Sequence, residues 1–299
     1  MNLLWKNSGI YFPNLEIGKL RKIDFFPRSL LWQEMTSICI ASKSRSLGDP
    51  LILSTLPTKI RAIYPHIKVY TYPRGFNRAV FFNHPHVEGV QYAPKQVFGD
   101  DCNAPGSGHL IQIKEQWFGL SVSPNPRPEI YLSAAETQWA QRYIQARRQS
   151  PRKRLCVIHP WGKTRSKVAS SDFWSKVIDQ NQDRFEFWQL GIQGHLPIAG
   201  CQEHFLLPTP FRHARKLFAL VSQADVFVGV DSGPMHVARA FQLPSLILLD
   251  HEEENSPSPA MDKGTFLYRE NRHFRVNGIS SHQVLQEVEE FLSKIENNL

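Results

Sequence analysis

From Ser37 onward the chain alternates short apolar runs with longer amphipathic ones, separated by polar segments rich in Pro, Gly and Ser. SICIA (37–41) reads as a buried strand, SKSRSLGD as a loop, PLILSTLPTKIRAIY (50–64) as one helix and IKVYTY as the next strand, which together make a βαβ unit. A second unit follows through AVFFNHPHVEGVQYA. Residues 94–128 are broken up by Pro and Gly, and only GHLIQIKEQWFGL within them has the look of a helix. SAAETQWAQRYIQARR (133–148) predicts a helix opened by a Ser133 cap with Glu136 three residues on. The basic, Pro-containing QSPRKR then marks a boundary, after which the alternation restarts: RLCVIHP strand, WGKTRSKVAS loop, SDFWSKVIDQ helix, FEFWQL strand with a GIQG turn, FRHARKLFALVSQA helix. The expectation is α/β, two Rossmann-like halves facing each other across a cleft, with domains at 1–148 and 149–299.

The segment 226–249, VFVGVDSGPMHVARAFQLPSLILL, carries the strongest local pattern. VFVGV has the continuous apolar character of a strand covered on both faces. Asp231 ends it, and Ser232, Gly233 and Pro234 turn the chain into a helix beginning near Met235, with Asp231 or Ser232 as the cap and Pro234 in the first turn. The amides of such a turn leave the carboxyl end of a parallel strand, where open α/β sheets bind ligands and where an anion is favoured. Standing alone, the same residues read more readily as a capped crossover helix with no ligand.

Composition narrows the partners. Thirty-five Lys and Arg against 27 Asp and Glu give a formal charge of +8, which suits an anionic partner such as a nucleotide, a phosphorylated glycan, a membrane surface or nucleic acid. Cys39, Cys102, Cys156 and Cys201 are widely spaced and form no CxxC pair, so reduced thiols are expected rather than disulfides or a metal site. The chain has no apolar signal segment and no run approaching the roughly 18 apolar residues of a membrane span, so a cytoplasmic protein is expected. Residues 1–35, aromatic and basic without periodicity, read as an extension packed on the first domain, with peripheral contact to the inner face of a membrane as the alternative.

Candidate chemistry gathers at two strand ends. Asp49, in LGDP, is placed to cap the helix that Pro50 begins, and a carboxylate at the edge of a cleft could also take a proton from an acceptor hydroxyl. Lys43 and Arg45 in the same loop could hold an anionic substrate or simply be solvated. In the second half Lys163, Arg165 and Lys167 follow the strand that ends at His159, and three cations beside a helix start can neutralise a diphosphate. No Asp-x-Asp pair stands at a strand end and no His, Cys, Asp or Glu cluster has ligand spacing, so no metal is expected.

VGVDSGPMHVARAFQLP resembles the C-terminal signature of glycosyltransferase family 9, the ADP-heptose:lipopolysaccharide heptosyltransferases. SLGDPLILSTLPTKIRAIYPHIKV, NHPHVEGV and KVASSDFWSKVI resemble three further family segments in the right order, so that the resemblance spans about 37–93 and 129–250. It implies a GT-B fold, with donor nucleotide in the C-terminal half and inverting, metal-independent transfer. It also implies Asp49 as general base, Lys167 on the donor diphosphate, the Ser232 and Gly233 backbone on phosphate, His236 at the family histidine, where a packed or capping role is equally open, and an adenine pocket near Leu207 to Phe211. Asp231 and Pro234 belong to the same donor turn. The partners implied are a nucleotide-sugar donor, ADP-heptose first, and a glycan or other hydroxyl acceptor; no cofactor and no nucleic acid is implied. The chain departs from the family's pattern between QYA and the second domain, at GIQG and in LLDHEEENSPSP (248–259), which leaves open a UDP- or GDP-sugar donor or a nucleotide-binding scaffold without turnover.

Overall fold

The structure is a computed structural model that describes residues 33, 35–42, 46–73, 75–91, 97–98, 108–162, 170–207, 214–249, 268, 271–276 and 279–297. They form two compact units dividing between Tyr131 and Leu132.

The first unit is a four-stranded parallel sheet in the order β3-β2-β1-β4, with β1 Ser37–Ile40, β2 Lys68–Thr71, β3 Gly89–Val90 and β4 Val97–Phe98. β4 lies in the stretch that the sequence pattern left unassigned. The expected helix over 50–64 is two helices, α1 Gly48–Ile52 and α2 Leu56–Ile63. Pro57 explains the break, since it has no N–H to give and its ring crowds the carbonyl one turn earlier. Ser54 closes the interruption by donating its hydroxyl to the Leu51 carbonyl at 2.6 Å. α3 (Asn77–Phe81) and α4 (Leu110–Trp117) follow, and Ile38, Ile40, Leu53, Leu56, Ile60, Val69 and Phe81 make the core.

α5, Ala134–Arg147, opens the second unit with the expected capping box: Ser133 accepts from the Glu136 N–H, and the Glu136 carboxylate takes the Ser133 N–H. The division therefore falls before this helix and not at the expected 148/149, because α5 packs on second-unit elements. Glu136 forms a two-armed ion pair with Arg215 of α7 (Ala214–Val221), with both contacts at 2.7 Å, and Tyr143 donates to Glu203 of β7 (Glu203–Leu207) at 2.7 Å. Six parallel strands follow the order β10-β9-β8-β5-β6-β7. Beside β7 these are β5 Arg154–His159, β6 Phe185–Ile192, β8 Val226–Val230, β9 Ser245–Leu249 and β10 Arg272–Arg275. α6 (Ser171–Asn181) starts on a Ser170 cap, α8 (Gly233–Ala240) joins β8 to β9, and α9 (Ser281–Asn297) completes the unit. Phe185, Phe187, Val226, Val228 and Leu246 are fully buried, as strands covered on both faces require, and Trp174 of α6 is buried with them.

Cys39, Cys156 and Cys201 are free thiols, and burial pushes Cys39 and Cys201 up to about 12 and Cys156 well above its ordinary value, so none is a ready thiolate. Cys102 lies outside the described residues. No described helix is long and apolar enough to cross a membrane.

Candidate functional site

The second sheet reverses direction between β5 and β8: from β5 the chain builds outward through β6 and β7, then returns to β8 on the other side. A doubly wound sheet opens a crevice at the carboxyl ends of two such strands and binds its ligands there. His159 ends β5 and Asp231–Ser232 follow β8, and the two ends are joined side by side, with Ser232 Oγ 3.0 Å from His159 Nδ1. Ser232 also donates to the Val230 carbonyl at 3.0 Å. A hydroxyl has one hydrogen to give, so His159 Nδ1 carries the proton that completes the contact. Burial, then the nearby His195, pushes the His159 pKa from 6.5 down to about 3, so the ring is neutral. The strands come this close because residue 229 is glycine: a Cβ there would lie 2.9 Å from the His159 carbonyl oxygen.

The structure corrects the expected cap. α8 begins at Gly233 rather than near Met235, Ser232 holds the N-cap position with an extended backbone, and its side chain caps nothing because it is turned to His159 and Val230. Pro234 sits in the first turn as expected, and Met235 N–H returns to the Ser232 carbonyl at 3.1 Å. His236 is buried, with Nδ1 at 2.5 Å from the Tyr268 hydroxyl. That contact engages Nδ1 inside the second unit.

Sequence reasoning missed the role of His159 and the ring that follows it. Trp161, two residues beyond β5, packs against the core and meets the His195 ring at 4.9 Å. Lys163, Arg165 and Lys167, and residues 208–211 of the expected adenine pocket, lie outside the described residues.

In the first unit the corresponding reversal falls between β1 and β4, and Asp49 follows β1. Asp49 does not cap. Leu47 is already helical at the N-cap position, which places Asp49 inside the first turn of α1, buried, with Ser46 Oγ donating to its Oδ2 at 2.7 Å. A carboxylate there is favoured by the helix dipole. Asn77, which the sequence did not single out, clamps the backbone at the end of β1: Ser42 N–H donates to its Oδ1 at 2.7 Å and its Nδ2 donates to the Ser42 carbonyl at 2.8 Å. Lys43 and Arg45 lie outside the described residues.

Residues 198–273, which hold the β8–α8 turn, match the family described as Glycosyltransferase family 9 (heptosyltransferase). The resemblance to glycosyltransferase family 9 is borne out. The fold agrees with it. The family 9 glycosyltransferase of Veillonella parvula DSM 2008 superposes with a TM-score of 0.64 at 13% identity, covering 87% of this chain and 97% of that one. E. coli ADP-heptose lps heptosyltransferase II gives 0.62 at 15% identity, over 87% and 99%. The iron-containing dodecameric glycosyltransferase TibC of enterotoxigenic E. coli H10407 gives 0.59 at 14% identity, over 88% and 76%. At such identities these likenesses show the fold, which is GT-B. No curated protein sequence matches the chain. The family 9 match falls in the second unit, on the β8–α8 turn that follows the sheet reversal.

Proposed function

We propose that this chain is an inverting glycosyltransferase that moves a sugar from a nucleotide diphosphate donor, ADP-heptose first, to a hydroxyl of a glycan or other acceptor. The observation that carries the reading is the family 9 match over residues 198–273, centred on a strand-to-helix turn at the sheet's reversal point. The likeness of fold to an ADP-heptose lps heptosyltransferase favours ADP and heptose over a UDP- or GDP-linked donor.

In this reading the donor diphosphate lies at the β8–α8 turn, against the Ser232 and Gly233 backbone, with Lys167 and its neighbours Lys163 and Arg165 supplying positive charge. The acceptor O–H gives its proton to the Asp49 carboxylate while its oxygen attacks the anomeric carbon from the face opposite the nucleotide. The bond from that carbon to the β-phosphate oxygen breaks, its electron pair stays on the diphosphate, and ADP leaves. The charge that develops on the leaving group is met by the helix start and the cations, so stabilisation is aimed at the transition state rather than the bound donor. His159 suits this place because, held neutral, it adds no charge that varies with pH near the phosphates. The donor is a substrate, and no resident cofactor or metal enters the scheme.

Asp49→Asn tests the base. The amide keeps an oxygen that can accept from Ser46, so α1 should hold, while turnover should fall by roughly 10²- to 10⁴-fold because an amide cannot take the proton. ADP affinity should stay unchanged. Turnover of the Asn variant within about threefold of wild type would remove Asp49 from the chemistry.

A further inference from the structure

Tyr268 is a second hold on the α8 turn that the scheme above leaves unused. The residue stands just ahead of β10 and has no exposed surface. Its hydroxyl lies 2.5 Å from His236 Nδ1, and the two rings meet edge to face, 5.5 Å apart at 85°. Its backbone is pinned as well, since the Tyr268 carbonyl accepts from Asn271 N–H at 3.1 Å. One turn further along α8 the Arg239 guanidinium lies 5.9 Å from the Tyr268 ring. Burial holds the phenol well above its ordinary range and the charge of Asp231 pushes the same way, against Arg239, so the group is a neutral hydroxyl. His236 stands in the first turn of α8, three residues after Gly233, and the Ser232 side chain at the N-cap makes no cap hydrogen bond.

The start of α8 is thus held from two directions, by His159 through Ser232 on the β5 side and by Tyr268 through His236 on the β10 side. Because the Ser232 hydroxyl is turned to His159 and Val230 instead of capping α8, the His236–Tyr268 contact is a second hold on where the first amides point. We infer that Tyr268 is a positioning residue for the donor diphosphate: its hydrogen bond to His236 keeps the first turn of α8 seated so that the Ser232 and Gly233 amides stay aimed at the phosphates. The inference rests on the donor reading of this turn proposed above. A phenol that merely filled the core would affect stability and treat all nucleotide ligands alike.

The experiment compares ADP with adenosine, which lacks both phosphates, on wild type, Tyr268→Phe, His236→Leu and His236→Asn, with circular dichroism melting beside each titration. The loss of one buried hydrogen bond that orders the turn should weaken ADP by roughly tenfold in Tyr268→Phe and His236→Leu, with adenosine within about twofold. His236→Asn, whose amide reaches the place of Nδ1, should recover most of the ADP affinity. If Tyr268→Phe does not fold, the Leu and Asn pair at His236 decides by the same ratio. Folded variants that keep the wild-type ratio of ADP to adenosine affinity, or lose both ligands equally, overturn the inference. A wild-type protein that binds adenosine as well as ADP instead removes the donor reading, and the inference with it.

Discussion

Lowering the pH from 7.5 to 5 should cost the protein stability through His159, and the size of the loss follows from its burial. In the unfolded chain the imidazole takes up a proton near its ordinary 6.5, whereas in the fold it does so only near about 3. Between those values the unfolded state binds more protons than the native one, so stability is fully present above 6.5 and is lost as pH falls toward 3. At pH 5 this amounts to about 2 kcal/mol from one residue, at ~1.4 kcal/mol per pH unit. The perturbation that isolates it is His159→Asn. The Asn amide can donate to Ser232 Oγ from the place of Nδ1 and does not titrate. His195, His204 and His273, whose pKa values burial also lowers, act in the same direction but remain in both proteins. Glu129 and Glu136, lowered through hydrogen bonds and ion pairing despite burial, contribute below their ordinary 4.5 and so stay out of this window. Denaturant unfolding at pH 7.5, 6 and 5 gives the assay. Wild type should lose about 2 kcal/mol more than the Asn variant between the two ends of that range. Parallel losses would show that His159 is charged or solvated in the fold, and would undo the neutral contact that joins β5 to the β8–α8 turn.

Two further results bear on the proposed donor site. Lys167→Ala should weaken ADP by roughly 10- to 100-fold while leaving the melting temperature near wild type, since a charged hydrogen bond contributes about 1.5–3 kcal/mol; equal ADP affinity in a titration of both proteins would remove Lys167 from the site. Transfer should proceed in excess EDTA, because the cationic loop and the helix start are taken to do what a divalent ion does elsewhere; activity lost on chelation and restored by Mg²⁺, Mn²⁺ or iron would defeat that mechanism.

The parts of the fold that the sequence displayed are those in which one local rule acts alone. VFVGV followed by Asp-Ser-Gly-Pro is a buried strand and a turn at any position in a protein, and the Ser133–Glu136 box opens a helix by contacts within four residues. What failed involved competition. The apolar pattern of 50–64 is continuous, yet Pro57 divides it, and an Asp before a Pro looks like a cap until Leu47 and Gly48 are found already helical. β7 and β10 escaped notice because they are the two edges of the second sheet, where EHFLL and RHFR need no continuous apolar run. The contacts that shape the candidate site were not legible at all: Ser232 with His159, His236 with Tyr268 and Ser42 with Asn77 lie 73, 32 and 35 positions apart, so only the sheet order brings them together.

Thermal denaturation of the intact chain against ADP, UDP, GDP and their sugars is the most direct test of an ADP-linked donor at the β8–α8 turn. A ligand at 100 times its dissociation constant adds about 2.7 kcal/mol to a protein that binds it only when folded. ADP and ADP-heptose should raise the melting temperature more than any uridine or guanosine counterpart. A larger shift with UDP or GDP would contradict the donor assignment, and no shift with any diphosphate would contradict the transferase reading itself.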